Sequence, residues 1–392
     1  MNNFNFSGEL PASKSIMNRA LIAGSYNPNL KILGDSNCDD VRLMKNGLRS
    51  LVTGQPIDCG HAGTVLRFLA LRASRIPGRH VLTGSPRLFS RPHEDLLPIF
   101  GQLGVDAEIH ENKMSIVTRG WRLVVDGLQV NSQRSSQFAS GVVLNAWDLK
   151  FPLHFHIPRK MVSEGYFHMT IHFVRKLGMK VEENGSEFFI PANQRVLSTE
   201  YVAEMDLSSA FAVAALATVG GSARLKNFPI KSTQPDLIFI NILNDMGVDQ
   251  EWSGRDLVVR KSAPLKGVKV NLESSPDLFP ILGVLCALAK TPSEITGLGH
   301  LKYKESSRLV KSKELLEIMG AQVHASDDSV TITPVAEMPR FDQTVIFDVD
   351  QDHRMAMAAT VAKWAGYPIQ SNDLKVVEKS FPEFLLIAGE NT

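Results

Sequence analysis

The sequence lacks the cysteine patterns and long apolar runs that are typical of secreted, membrane-spanning or zinc-binding proteins. Its three cysteines, Cys38, Cys59 and Cys286, are scattered and form no CxxC pair. An odd, unclustered set of cysteines predicts neither a disulfide framework nor a zinc site, and it is typical of a reducing cytosol. No run of about 18 apolar residues occurs, so we expect no membrane-spanning helix. The N-terminal residues lack the basic and apolar regions of a secretion signal, so we expect a cytoplasmic protein.

An excess of charge of one sign is also absent. The 42 basic and 41 acidic residues give a net charge of +1, so the chain as a whole is not expected to attract nucleic acid or an anionic membrane. No GxxxxGK(S/T) loop and no GxGxxG after a strand is present, which argues against a nucleotide enzyme. His154 and His156 share one face of a predicted strand, and a solvated strand face explains them better than a metal site. Any anionic ligand must therefore be bound by a local cluster of cations.

The sequence does contain a repeated pattern. Four segments start with an apolar residue and a glycine and continue as a strand, a polar turn and a second strand; they begin at Leu103, Leu177, Met246 and Met319. Their glycines recur every 69 to 74 residues, and each fits the position after a helix, where glycine adopts positive φ at little cost. A chain of 392 residues is long enough for two domains. We predict repeated units of helices and a closing hairpin, grouped into two similar domains around buried helices.

The segment PASKSIMNRA, which begins at Pro11, places two cations at the start of a predicted helix. Ser15 is the predicted cap of that helix. Lys14 and Arg19 then lie beside free backbone N–H groups and the positive end of the helix dipole, which together favour an anion. Taken alone, such a segment is more often a solvated helix start.

Seven further motifs extend this segment into an ordered series. They are SPRLFSRP from Ser85, SSQF from Ser135, VSEGY from Val162, SSPDLFP from Ser274, YKESSRL from Tyr303, QDHRMAM from Gln351 and EKSFPEF from Glu378. In this order the motifs resemble the 5-enolpyruvylshikimate-3-phosphate synthase family. The resemblance covers the chain from about Leu10 to Phe384.

The resemblance implies an α/β protein with the two-domain enolpyruvyl transferase fold, which is built from repeated βαβαββ units. By this analogy residues 11–195 form a first domain of three units, and residues 1–10 with 202–392 form a second domain of three units. The segment LVTGQPIDCG (51–60) replaces the hairpin of the first unit, so we expect that unit to be abbreviated. The active site is expected in the cleft between the domains.

The resemblance also implies an enzyme, a 3-phosphoshikimate 1-carboxyvinyltransferase. Members of the family transfer the enolpyruvyl group of phosphoenolpyruvate to the 5-hydroxyl of shikimate 3-phosphate and release phosphate. The reaction belongs to the shikimate pathway, which leads to chorismate and the aromatic amino acids, and glyphosate inhibits it. We expect no cofactor and no metal, the two small-molecule substrates as partners, and a monomer.

The family's site residues correspond to matching positions of this chain. Asp277 matches the base that takes the 5-hydroxyl proton, and Glu305 with Lys14 matches the groups that protonate the methylene carbon of phosphoenolpyruvate. The residues implied for phosphoenolpyruvate are Lys14, Gly63, Arg91, Gln137, Arg308, Arg354 and Lys379. Those implied for shikimate 3-phosphate are Lys14, Ser15, Arg19, Ser135, Ser136, Gln137, Ser163, Tyr166, Asp277 and Lys304. The secondary candidates are His61, His300 and His353.

Departures from the family pattern leave two alternatives open. His61 and His300 stand where asparagine is usual, and either histidine could alter affinity or pH dependence. No departure removes a proposed cation or proton carrier, but together they admit a non-catalytic homologue that kept its anion site. The other alternative is UDP-N-acetylglucosamine 1-carboxyvinyltransferase, which shares the fold and the phosphoenolpyruvate chemistry. That family pairs Lys with Asn near its start, whereas Lys14 precedes Ser15 here.

Overall fold

The computed structural model describes residues 3–390 and divides into two compact units. We call Ala12–Ala203 the N unit, and Met1–Pro11 together with Glu204–Thr392 the C unit. The chain therefore enters the N unit after Pro11 and leaves it after Ala203. Within residues 3–390, no helix combines the length and the apolar character needed to cross a bilayer.

The elements of the N unit alternate between helices and short strands. The chain begins with β1 (Phe4–Gly8), which belongs to the C unit. The N unit then contains α1 (Lys14–Gly24), β2 (Lys31–Leu33), α2 (Asp39–Thr53), β3 (Ile57–Asp58), α3 (Gly63–Ala73), β4 (Gly78–Thr83), α4 (Pro86–Phe89), α5 (Leu96–Gln102), β5 (Asp106–His110), β6 (Lys113–Thr118), β7 (Leu128–Gln129), α6 (Gln137–Leu144), β8 (Leu153–His156), α7 (Glu164–Lys176), β9 (Glu182–Asn184), β10 (Glu187–Ile190) and β11 (Glu200–Val202).

The C unit follows the same alternation. Its further elements are α8 (Leu207–Gly220), β12 (Gly221–Leu225), α9 (Phe239–Asp245), β13 (Gln250–Ser253), β14 (Asp256–Arg260), β15 (Lys269–Asn271), α10 (Phe279–Ala287), β16 (Ser293–Thr296), α11 (Arg308–Ile318), β17 (Gln322–Ala325), β18 (Ser329–Thr333), β19 (Val345–Phe347), α12 (His353–Trp364), β20 (Ile369–Ser371) and α13 (Phe384–Ala388). Short 3₁₀ helices span Pro235–Ile238, Pro276–Leu278, Leu301–Tyr303 and Lys375–Lys379.

Four four-stranded sheets repeat one strand pattern. Their orders are β3-β4-β6-β5 and β7-β8-β10-β9 in the N unit, and β1-β12-β14-β13 and β15-β16-β18-β17 in the C unit. In each sheet the first two strands are parallel and the last two form an antiparallel hairpin, as a βαβαββ unit requires. The four predicted hairpins are confirmed as β5–β6, β9–β10, β13–β14 and β17–β18. Gly104 and Gly320 precede two of these hairpins with φ of 65° and 90°, as expected for glycines that end helices.

Two further repeats are abbreviated. In the N unit, β2 pairs in parallel with β11, which returns from the end of that unit, and this sheet has two strands. The expected shortening of the first repeat is therefore confirmed. In the C unit, β19 and β20 form a second two-stranded sheet, and the chain continues from it into a 3₁₀ helix and α13 rather than into a hairpin. We did not predict this second shortened repeat.

The most apolar helices lie inside each unit. Every residue of α10 is buried, and α12 packs against both α8 and α10 in the C unit. In the N unit, α6 packs against α3 and α7. Helices that are apolar on all sides must be covered on all sides, so the sheets and outer helices surround them. Five helices of the two units start with a candidate residue: Lys14 begins α1, Gly63 begins α3, Gln137 begins α6, Arg308 begins α11 and His353 begins α12.

Candidate active site

In the N unit, α1 carries the first two cations of the candidate site. The helix begins at Lys14 with Ser13 at the N-cap position, so the prediction that Ser15 caps it is wrong. The chain becomes helical before Ser15, whose carbonyl oxygen accepts a hydrogen bond from Arg19 Nη1 (2.8 Å). Lys14 is mostly buried, and its Nζ lies 3.2 Å from Asp40 Oδ2 on α2. Asp40 therefore holds the Lys14 ammonium beside the start of α1.

Arg19 ties α1 to α7. Its Nε donates to Thr170 Oγ1 (2.8 Å), and its Nη2 donates to the carbonyl oxygen of Tyr166 (3.0 Å). The guanidinium is buried and also lies over the ring of Phe68. Burial lowers the pKa of Arg19 to about 10, against the opposing effect of Tyr166 and Tyr201. Arg19 thus stays charged at neutral pH, and the structure brings it together with Tyr166, another predicted site residue.

Gly63 allows Arg91 to approach the start of α3. A Cβ atom built on Gly63 would lie 2.9 Å from Arg91 Nη1 and 3.1 Å from Arg91 Cζ. Contacts this short require the neighbour to move, so a side chain at position 63 would push the guanidinium aside. The structure therefore brings together two residues that the family resemblance assigns to phosphoenolpyruvate.

Gln137 lies at the centre of a hydrogen-bonded network in the N unit. Its Oε1 accepts from Arg67 Nη1 (2.7 Å), and its Nε2 donates to Thr64 Oγ1 (2.8 Å). Arg67 Nη1 also donates to Ser135 Oγ (3.3 Å), and Arg67 Nη2 donates to the carbonyl oxygen of Pro92 (2.9 Å). One buried arginine therefore joins the Ser135–Gln137 segment to the segment that follows Arg91.

The remaining N-unit candidates lie at the starts of two helices and in one turn. Ser136 occupies the N-cap position of α6. Ser163 occupies that of α7 with φ 52° and ψ 41°, a left-handed conformation that costs a serine on the order of 1 kcal/mol. Such strain is typical of positions where a side chain is aimed at a ligand. His61 is exposed, with Nδ1 2.9 Å from Ser85 Oγ.

In the C unit, one buried arginine binds three carboxylates. Arg308 begins α11; its Nε donates to Asp352 Oδ2 (2.7 Å), its Nη1 to Asp277 Oδ1 (2.6 Å) and its Nη2 to Glu305 Oε2 (2.8 Å). Burial alone would lower the pKa of Arg308, but Asp352, Asp277 and Glu305 together raise it well above its usual range. The two residues implied for proton transfer, Asp277 and Glu305, are therefore held by the same guanidinium.

Asp277 faces two further cations. Lys304 Nζ lies 3.6 Å from Oδ1, and Arg354 Nη2 lies 3.5 Å from Oδ2. The carboxylate is about one-fifth exposed and is presented by the 3₁₀ helix Pro276–Leu278. Burial favours the neutral acid, but Lys304, Arg308 and Arg354 outweigh it and hold the pKa of Asp277 well below its usual range. Asp277 is therefore ionised at neutral pH.

Glu305 and Arg354 complete this cluster. Glu305 Oε1 lies 3.6 Å from Lys379 Nζ. Arg354 Nη2 donates to Ser208 Oγ (2.6 Å), and the Ser208 hydroxyl donates in turn to Asp206 Oδ1 (2.6 Å). Burial would lower the pKa of Arg354, but Asp277 and Asp206 raise it. Neighbouring side chains thus organise the cluster.

The charges of the C-unit cluster nearly balance. Four cations, Lys304, Arg308, Arg354 and Lys379, each have a carboxylate oxygen within 3.6 Å. The carboxylates are Asp277, Glu305 and Asp352. An anionic ligand must therefore share cations that already have internal partners.

Comparison with known proteins assigns the family. A sequence model described as EPSP synthase (3-phosphoshikimate 1-carboxyvinyltransferase) matches residues 29–386 of the 392. The chain belongs to the EPSP synthase family. The 3-phosphoshikimate 1-carboxyvinyltransferase of Methanoculleus marisnigri is 32% identical over 409 aligned positions. The match covers 95% of this chain and 94% of that protein. The protein of the same name from Vibrio atlanticus is 30% identical, and the match covers 96% of this chain and 95% of that protein.

Solved structures agree with the EPSP synthase fold. EPSP synthase from Acinetobacter baumannii superposes with a TM-score of 0.76 at 22% identity, covering 99% of this chain and 95% of that one. An enolpyruvyl transferase from Streptomyces tendae gives a TM-score of 0.75 at 15% identity, with 99% and 95% covered. At these identities the likeness concerns the fold. The predicted α/β enolpyruvyl transferase fold is confirmed.

Membership of the EPSP synthase family makes the chain a transferase of the shikimate pathway. The relatives carry the name of the catalytic enzyme, so the comparisons do not favour a non-catalytic homologue. They do not favour UDP-N-acetylglucosamine 1-carboxyvinyltransferase either. The enzyme class predicted from the ordered motifs is therefore confirmed.

Sequence reasoning missed several residues that orient the candidates. Arg67 is one of them, although a charged residue among the buried apolar residues of α3, four residues after Gly63, was a usable signal. Asp352 occupies the N-cap position of α12 and accepts a hydrogen bond from Arg354 N (2.9 Å). Its stronger role, the pair with Arg308, was not predicted. The other residues missed are Asp40, Ser208 and Asp206.

The secondary histidines differ in their surroundings. His300 is buried at the start of the 3₁₀ helix Leu301–Tyr303. Burial, with the neighbouring Lys304, lowers the pKa of His300 to about 3, while Asp277 opposes this shift. His300 is therefore neutral at neutral pH. His353 is buried as well, with Nδ1 3.7 Å from Asp352 Oδ1.

The strand histidines outside these clusters bind a neighbouring carboxylate. His154 Nε2 lies 2.9 Å and His156 Nδ1 lies 2.7 Å from the oxygens of Glu187 on β10. His154 is more than half exposed, as expected for a solvated strand face. Within residues 3–390, no group of three or more His, Cys, Asp or Glu side chains is arranged to hold a metal ion.

Proposed function

We propose that this member of the EPSP synthase family transfers the enolpyruvyl group of phosphoenolpyruvate to the 5-hydroxyl of shikimate 3-phosphate and releases phosphate. The observation that carries the proposal is the Arg308 cluster, in which one buried guanidinium holds both Asp277 and Glu305. A base and an acid held on one rigid group are suited to moving two protons within one reaction.

Asp277 acts as the base that takes the 5-hydroxyl proton. The low pKa of Asp277 in the folded protein makes it a weak base. Its effect must therefore come from its position. Three cations surround the carboxylate and limit its rotation, which aims the oxygens without further reorganisation. Lys304 and Arg354 also offset the negative charge of the substrates beside it.

Glu305, together with Lys14, protonates the methylene carbon of phosphoenolpyruvate. Arg308 and Lys379 each contact one oxygen of Glu305, so the carboxyl group has a defined orientation. Lys14 is oriented by Asp40 in the same manner. After addition, the same groups are available to assist the loss of phosphate from the tetrahedral intermediate.

The anionic groups of the substrates are bound by the remaining candidates. Arginine forks grip carboxylate and phosphate oxygens in pairs. For phosphoenolpyruvate we propose Lys14, Gly63, Arg91, Gln137, Arg308, Arg354 and Lys379. For shikimate 3-phosphate we propose Lys14, Ser15, Arg19, Ser135, Ser136, Gln137, Ser163, Tyr166, Asp277 and Lys304. Neither a metal nor an organic cofactor takes part in the proposed reaction.

Phosphate release from shikimate 3-phosphate and phosphoenolpyruvate tests this function directly. The purified chain should release phosphate only when both substrates are present. Uptake of shikimate 3-phosphate without phosphate release would contradict the proposal and favour a binding protein. We further propose a monomer and a cytoplasmic location. The three free, buried cysteines support the location, because they fit a reducing compartment.

Arg354→Ala should raise KM for phosphoenolpyruvate more than KM for shikimate 3-phosphate. The substitution removes a charge-assisted contact worth about 1.5–3 kcal/mol, so KM should rise at least about tenfold. Steady-state kinetics with each substrate varied in turn provide the measurement. Arg255→Ala, at an exposed turn between β13 and β14, is the control and should change neither constant. Equal effects on both substrates would mean that Arg354 is wrongly assigned.

Gly63→Ala should weaken binding of phosphoenolpyruvate and of glyphosate. The added methyl group would contact Arg91 and displace its guanidinium. Because the arginine can adjust, we expect KM for phosphoenolpyruvate to rise by about fivefold, less than full loss of the contact would give. Gly101→Ala on α5 is a matched control, since a Cβ there meets nothing within 4 Å. Unchanged KM and unchanged glyphosate inhibition would contradict the assignment of Gly63 and Arg91.

A further inference from the structure

Arg134 joins two segments that each carry proposed substrate residues. It directly precedes Ser135, and its Nε and Nη2 donate to the two oxygens of Asp95 at 2.8 and 2.6 Å. Its Nη1 donates to Glu94 Oε1 (2.6 Å). Asp95 lies four residues after Arg91 and stands at the N-cap position of α5. The guanidinium therefore fixes the Arg91–Asp95 segment to the Ser135–Gln137 segment by a two-point contact.

The same two segments are joined a second time inside the unit. Arg67 donates to the carbonyl oxygen of Pro92 in one segment and to Gln137 Oε1 in the other. Arg67 is buried, whereas Arg134 is 30% exposed and Asp95 10% exposed. The two segments thus have an inner and an outer connection, and movement of one must be transmitted to the other.

We propose that the Arg134–Asp95 pair is a positioning pair that couples the binding of the two substrates. The proposal rests on the proposed function, in which Arg91 contacts phosphoenolpyruvate and Ser135 and Ser136 contact shikimate 3-phosphate. A ligand that orders one segment also orders the other through the pair, so the second ligand meets a segment that is already positioned.

The chemistry of the pair favours a coupling role over simple stabilisation. A bidentate guanidinium–carboxylate contact fixes both distance and orientation, which a single ammonium contact cannot do. The hydrogen bonds to Asp95 and Glu94 raise the pKa of Arg134, so its guanidinium stays charged at neutral pH. An isolated surface ion pair, by contrast, adds little to stability.

The test measures substrate coupling in Arg134→Ala and Arg134→Lys. Calorimetry gives the affinity for shikimate 3-phosphate with and without glyphosate, and phosphate release gives KM and kcat. In Arg134→Ala the enhancement of one ligand's affinity by the other should fall by about fivefold, the scale of one well-formed ion pair. KM for both substrates should rise while kcat changes little. Arg134→Lys should fall between the wild type and the alanine variant.

Arg260→Ala is the matched control. Arg260 also bridges two carboxylates, Asp249 and Glu251, but it lies on the β13–β14 hairpin of the C unit. It should leave coupling and both KM values unchanged. Unchanged coupling in Arg134→Ala would overturn the inference, even if the melting temperature falls. A wild type that binds both ligands cooperatively but releases no phosphate would contradict the proposed function alone.

Discussion

Asp277→Asn is expected to lower kcat by about a hundredfold or more, the usual scale for loss of a general base. The substitution keeps the size of the side chain and its capacity to accept hydrogen bonds from Arg308 and Lys304. Substrate binding should therefore survive in part. Phosphate release under saturating substrates gives kcat, and calorimetry gives the affinity for shikimate 3-phosphate. Near-normal turnover would show that Asp277 is not the base.

The pH profile of kcat distinguishes a base that acts through its position from a base whose pKa is shifted towards the working pH. The pKa of Asp277 lies well below its usual range, so kcat should show no fall attributable to Asp277 between about pH 5 and 8. Since the folded pKa is lower than that of the unfolded chain, Asp277 stabilises the fold above about pH 4. That contribution is lost as the pH falls towards the folded value. Asp249→Asn, an exposed carboxylate paired with Arg260, is the control and should leave kcat unchanged.

Arg308→Ala should abolish turnover and lower the free energy of unfolding by about 3–5 kcal/mol, because it leaves buried carboxylates without their shared cation. Asp352 and Arg308 are almost wholly buried, so water cannot replace the lost partner easily. Denaturant unfolding monitored by circular dichroism provides the measurement. Arg260→Ala removes a cation from two exposed carboxylates and should leave stability unchanged.

The pH dependence of this loss identifies its cause. Acid neutralises the negative charge that the substitution leaves unpaired, so the stability difference between Arg308→Ala and wild type should shrink as the pH falls. Arg308→Lys, which keeps the charge, should retain more stability and serves if the alanine variant does not fold. A stability difference that does not change with pH would point to lost packing rather than to unpaired charge.

Local signals explain which parts of the fold could be predicted from the sequence. The four hairpins were predictable because each follows a glycine that ends a helix, and this signal lies within a few residues. The N-cap at Asp352 is also a local signal, because aspartate is a preferred residue at that position. The prediction that Ser15 caps α1 was wrong. Ser13 and Ser15 are both suitable cap residues, and only the backbone shows that the helix begins between them.

Long-range contacts explain what could not be predicted. Arg67 meets Gln137 70 residues away, and Arg354 meets Ser208 146 residues away. No pattern along the chain predicts such pairs. The motifs did identify the cations of the C-unit cluster. They did not reveal that Arg308 binds Asp277, Glu305 and Asp352, because that depends on how helix starts meet in space.

The position of β1 affects the order in which the chain can fold during synthesis. Phe4 pairs with Gly221 and Gly8 with Leu225, so during synthesis β1 has no partner until more than 200 further residues have been added. At the usual rates of translation this delay is about 10 to 40 s. The N unit, which is continuous from Ala12 to Ala203, can complete its core during that time. Synthesis of this enzyme therefore passes through a stage in which β1 is unpaired while the N unit is already able to fold.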